Sequence, residues 1–171
     1  SAFNADAVIW NFEKVLNKDA PHFDQRQAAQ VRPRLPSVAS YRKVDDMTVE
    51  VTTKTGDCFF PYQMLWFLVS SPAQFEAVGR DWTKFAQAPS GTGPFKLGKF
   101  VPREQAELIK NPDYWDKNRI AKVDKIVLVC VPETLTRSNA LLTGAVDIIE
   151  APAPDTVQRL KQGGMRVIDN V

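Results

Sequence analysis

Between residues 125 and 169, short apolar runs alternate with helix-length amphipathic segments, and this alternation restricts the fold more than any other feature of the chain. The pattern predicts strands over 125–131, 146–150 and 166–169, with helices over 133–143 and 155–162 between them. Gly144 follows the first of these helices and Gly163-Gly164 the second, where a left-handed terminating residue is favoured. A βαβαβ order implies parallel strands joined by right-handed crossovers, so the expected class is α/β (α+β) with a mixed sheet.

The first half reads differently. Asn4 is placed to cap a helix whose apolar positions Val8, Ile9, Phe12, Val15 and Leu16 recur every three or four residues, ending near Lys18. Residues 20–36 are polar and interrupted by Pro21, Pro33 and Pro36, which predicts a long surface loop. Alternation at Val38, Ser40, Arg42 and Val44, a turn at Asp45-Asp46, and then Met47, Val49 and Val51 on one face predict an antiparallel hairpin. The dense apolar stretch 59–68 predicts a short helix continuing as a strand. Ser71-Pro72-Ala73-Gln74 reads as a capping box, and a further short helix is expected over 81–87. Strands over 95–101 and 105–110 meet at Pro102-Arg103. The Pro-, Ser- and Gly-rich residues 88–93 form the best internal boundary, dividing a small helix-plus-hairpin subdomain (1–88) from an α/β part (89–171).

Charge narrows the partners little. Lys and Arg number 22 against 20 Asp and Glu, a net charge of +2 over 171 residues, so bulk electrostatics point to neither nucleic acid nor a membrane surface. The basic side chains at 26–43 lack interleaved aromatic stacking platforms. No apolar run reaches the roughly 18 residues of a bilayer span. Cys58 and Cys130 are too few for a disulfide scaffold; a bridge between them stays open, and Cys130 within its apolar run is expected to be a buried small hydrophobe.

Catalytic chemistry finds little support. Gly91-Thr92-Gly93 is followed by Pro94, which has no N–H for a phosphate and blocks the helix a phosphate loop opens into. His22 is the single histidine, so a triad has one candidate base, and neither paired carboxylates nor metal-ligand spacing stand out. No catalytic residue, metal or cofactor is assigned, and the chain is expected not to be an enzyme.

Four markers occur in order: Ser90-Gly91-Thr92-Gly93-Pro94-Phe95, Lys110-Asn111-Pro112-Asp113-Tyr114-Trp115, Val123-Asp124-Lys125-Ile126, and Gly144-Ala145-Val146-Asp147-Ile148. Together with the helix opening at Phe3-Asn4-Ala5-Asp6 and the strand around Asp45-Asp46-Met47-Thr48-Val49, they resemble the extracytoplasmic solute-binding proteins (family 5) of peptide and nickel ABC importers. The resemblance implies part of the first lobe of a type II periplasmic-binding-protein clamshell, in the periplasm or lipid-anchored outside the membrane. The chain reads as an excised piece of such a protein. The implied activity is capture of a small solute, a peptide or a metal chelate, between two lobes for delivery to ABC permease subunits. A ligand-sensing module and a small hydrolase using His22 are the alternatives. As a piece of a larger protein, the chain is also expected to self-associate through exposed apolar surface.

Open α/β sheets hold ligands beyond the carboxyl ends of their parallel strands, which points to Glu150, Ala151 and Pro152 after the strand expected at 146–150. The resemblance puts the same three residues in the interlobe cleft, with Glu150 able to meet a cationic group. They also read as a plain strand-to-helix connection capped by Asp155. The second candidate group lies in Leu65-Trp66-Phe67-Leu68, where the resemblance makes Trp66, Phe67 and Leu68 an apolar cleft wall; aromatics beside Met64 and Leu65 are more often core residues.

Overall fold

The computed structural model describes residues 2–168, arranged as two compact units: 2–97 with 110–122, and 98–109 with 123–168. Helix α1 (Ala5–Leu16) starts where the sequence places it, with the Asn4 side chain accepting from the Ala7 N–H at 3.0 Å. Phe12 and Val15 on its inner face are almost fully buried, and the core they anchor also takes in Ala28, Val31, Leu35 and Phe67. The Phe12 ring stacks on Phe67 at 4.4 Å and on Tyr41 at 4.9 Å.

The stretch 20–36 is not the uninterrupted loop its composition predicts. It holds helix α2 (Gln25–Val31), capped by Asp24 through the Arg26 and Gln27 N–H groups, and a 3-10 turn at Arg32–Arg34. Only Ala28 and Val31 of α2 are buried, so its apolar stripe is too narrow to register against the surrounding polar residues.

Strands β1 (Val38–Lys43) and β2 (Val49–Thr53) form the expected antiparallel hairpin. A bulge between Val38 and Ser40 shifts the alternation of β1 by one residue. Tyr41, rather than Ser40 or Arg42, therefore faces the core, while Met47 lies 78 % exposed in the turn. Residues 59–68 form helix α3 (Phe60–Gln63) and a 3-10 turn (Met64–Trp66), and no strand follows. Helices α4 (Pro72–Ala77) and α5 (Trp82–Gln87) form; Ser71 caps the first as the sequence predicts, and Asp81, expected as the first residue of the second, is its cap.

Two of the sequence markers are joined directly. Asn111, 7 % exposed, donates from Nδ2 to the Gly93 carbonyl at 3.0 Å, and its N–H donates to the Pro94 carbonyl at 2.8 Å. Its Oδ1 accepts from the Asp113 N–H, folding the Pro112-Asp113 turn and seating buried Tyr114 beside it; Trp115 stays exposed. Asn111→Ala leaves a carbonyl and an N–H without their partner and should lower stability by about 1–3 kcal/mol, seen as an earlier urea midpoint at unchanged slope. A midpoint within error of the parent would remove Asn111 as the clasp.

The second sheet has the order β3-β4-β5, built from β3 (Phe95–Val101), β4 (Gln105–Lys110) and β5 (Lys125–Val129), with β4 and β5 antiparallel. Helices α6 (Thr134–Leu142) and α7 (Pro154–Gln162) follow as expected, with Gly144 and Gly164 in the left-handed conformation at their ends (φ 73° and 80°). Of the βαβαβ run, β5 and both helices form, whereas 146–150 and 166–168 make no strand; residue 169 lies outside the described residues. A strand exists only through hydrogen bonds to a neighbour, and among the described residues none lies alongside either segment. The apolar signal reported extended propensity, not pairing. Along β5 itself, Val127, Leu128 and Val129 are exposed. The thiols of Cys58 and Cys130 are free and exposed, which corrects both the open bridge and the buried reading of Cys130. β5 ends at Val129, so Cys130 falls just past the strand.

Candidate functional site

The apolar candidate group is set from behind by helix α1. Asn11 and Lys14 lie on its buried side with Ala7, at the four- and seven-residue spacing of one helix face. Asn11 Oδ1 accepts from the Ser70 N–H at 2.7 Å while its Nδ2 donates to the Ser70 carbonyl at 2.9 Å. Lys14 Nζ donates to the Leu68 carbonyl at 3.0 Å and to Ser70 Oγ at 2.9 Å. These four bonds hold residues 68–70 against α1. Lys14 is 1 % exposed, and burial draws its pKa down to about 8 although Asp24 pulls the other way.

On that support the three predicted residues separate. Phe67 points inward and stacks on Phe12, so it is a core residue. Trp66 and Leu68 are exposed, at 52 % and 73 %, beside the equally exposed Leu65. The Arg34 guanidinium lies 3.7 Å from the Trp66 ring centroid, fixing the indole from one side.

The polar candidate group sits between α6 and α7. Glu150 is exposed and makes no hydrogen bond or ion pair with any described residue. Ala151 has φ 48°, a left-handed conformation that costs a non-glycine residue of the order of 1 kcal/mol and that a following proline disfavours further. Pro152 is half-buried. Helix α7 then begins with Ala153 at its cap and Pro154 in its first turn; Asp155 lies inside that turn instead of capping it. A strained backbone presenting an unpaired carboxylate between two helices is suited to an external partner. The two candidate groups belong to different units.

His22 is structural. Its ring stacks on Trp10 at 4.3 Å, and its Nε2 donates to the Trp10 carbonyl at 2.9 Å. Among the described residues no cluster of His, Cys, Asp or Glu could hold a metal ion, and no helix is long and apolar enough to cross a membrane. A hollow of about 530 Å³ opens between the end of α1 and β1, lined by none of the six predicted residues. Sequence reasoning passed over Asn11, Lys14 and Ser70; the available signal was two polar residues on the buried face of an otherwise apolar helix stripe.

The model of bacterial extracellular solute-binding proteins, family 5 Middle, matches residues 1–170. Over 171 aligned residues the chain is 29 % identical to di/tripeptide-binding protein 1 of Pseudomonas aeruginosa, covering 94 % of this chain and 31 % of that protein. Heme-binding protein A of Haemophilus influenzae is 28 % identical over 185 residues, covering 96 % and 33 %. Among solved structures, the ABC transporter-associated periplasmic binding protein DppA from Helicobacter pylori, in complex with the peptide STSA, superposes with a TM-score of 0.79 at 26 % identity over 94 % of this chain and 32 % of that one. The chain thus spans about a third of the length of the relatives it matches.

Proposed function

This chain belongs to family 5 of the bacterial extracellular solute-binding proteins, and we propose that it forms part of the first lobe of an ABC importer's binding component, which captures short peptides outside the cytoplasmic membrane. The observation that carries this reading is the match along the whole chain to proteins named for di- and tripeptide binding. The α/β fold, of the type II periplasmic-binding-protein class, agrees with it. In this reading Glu150 receives the cationic amino group of the peptide, and Trp66 and Leu68 of the other unit remain a separate apolar candidate surface. Closure around the bound peptide then presents the protein to the permease subunits. The compartment that follows is the periplasm, or the outer face of the membrane through a lipid anchor.

Glu150→Gln removes the charge and keeps the shape. In the full-length protein carrying this chain, the variant should bind Ala-Leu about tenfold more weakly, a change of ~1.4 kcal/mol, and should no longer distinguish Ala-Leu from its N-acetylated form. An unchanged preference for the free amine would withdraw the role given to Glu150.

A further inference from the structure

The hollow between the end of α1 and β1 is a second, separate opportunity for binding. Its volume of about 530 Å³ lies within the roughly 300–1,000 Å³ typical of small-molecule sites. The bulge in β1 shapes it. Val38 and Ala39, consecutive residues that a regular strand would send to opposite faces, both line the hollow. With Leu16 and Leu35 they supply the apolar part of a mixed lining.

The polar lining has one sign. Among the described residues, Arg32 and Lys54 are its charged lining and no carboxylate lines it. Arg32 makes no side-chain hydrogen bond or ion pair with a described residue; Lys54 spends one donor on the Pro36 carbonyl at 2.8 Å and keeps the others. The half-buried Tyr41 hydroxyl is likewise without a hydrogen-bond partner among the described residues. Apolar side chains beside two cations and a hydroxyl suit one kind of guest.

We propose that this hollow binds a small organic carboxylate with an apolar body, at a site distinct from the solute site proposed above. The apolar body lies on Leu16, Leu35 and Val38, and the carboxylate meets Arg32 and Lys54. Because α1, the 3-10 turn at Arg32–Arg34 and β1 all belong to the same unit, the guest bridges elements of one unit.

The test is titration of the full-length protein carrying this chain with sodium decanoate and, separately, decanol, followed through the methyl resonances of Leu16, Leu35 and Val38. Decanoate should shift them saturably, and decanol should bind at least tenfold more weakly. The double variant Arg32→Gln/Lys54→Gln should erase that difference. Ala39→Phe, which places a ring at the lining of the hollow, should weaken binding of both probes at least tenfold while the thermal midpoint stays within a few degrees. Equal affinity for decanoate and decanol, an unchanged preference in the double variant, unchanged binding in Ala39→Phe, or shifts that never saturate would each overturn the proposal.

Discussion

Phe12→Ala should destabilise the protein by about 3–5 kcal/mol, the largest loss expected of any single side-chain truncation in the chain. Phe12 is 1 % exposed and stacks on two rings at once, Phe67 and Tyr41. Those rings come from the apolar wall segment and from β1, so the cavity left by alanine is bordered by groups on three elements that cannot all move inward. Against the roughly 5–15 kcal/mol that holds a domain folded, such a loss takes the unit close to its unfolding threshold. Urea unfolding followed by circular dichroism checks it. A loss below about 1 kcal/mol would mean that the ring stack is not the centre of this core.

Lys14 sets the second large effect, in stability against pH. Its folded pKa of about 8 lies below the ordinary value of 10.5, so between those values the unfolded chain binds the extra proton and stability rises with pH. Integrated over the whole interval, the gain is about 3 kcal/mol. It is complete only above pH 10.5, where two groups act in the opposite sense. Burial, with Glu13 nearby, raises the Tyr41 pKa, and hydrogen bonds to Asp46 and Asp6 raise that of exposed Lys43. Groups with raised folded pKa values lose their stabilising contribution as pH climbs past the unfolded value. The wild-type unfolding midpoint should therefore climb from pH 8 to about 10 and then turn over. Lys14→Met keeps the length and removes the charge, so its curve should be flat from pH 8 to 10. A wild-type curve that is flat or falling over this window would show that Lys14 is solvated and does not clasp residues 68–70 in the buried form described.

The elements written in local chemistry could be read from the sequence. Asn4 and Ser71 cap the helices they precede, and Gly144 and Gly164 stop the helices they follow, because each interaction is completed within a few residues. What depended on distant partners could not be read. Residues 146–150 have the composition of a strand but, among the described residues, no neighbour alongside, and the bulge in β1 inverts the alternation from Ser40 onward. Helix α2 is held by two buried side chains, too few for a periodic signal. At the candidate site, Glu150 and Ala151 stand out in the sequence as following a strand expected at 146–150, which does not form, and the strain at Ala151 is invisible in the residue type. Phe67 and Trp66 are neighbours of one apolar run, yet one is core and the other surface, because a 3-10 turn and the Asn11–Lys14 clasp decide which ring turns inward.

Calorimetric titration of the full-length protein carrying this chain with Ala-Leu, Ala-Lys and trialanine measures the proposed activity itself. Saturable binding of at least one of them at micromolar or tighter dissociation constants, with a negative heat-capacity change from apolar burial, is the predicted result. Absence of heat with all three, together with an unshifted thermal midpoint, would contradict the assignment of this chain to peptide capture.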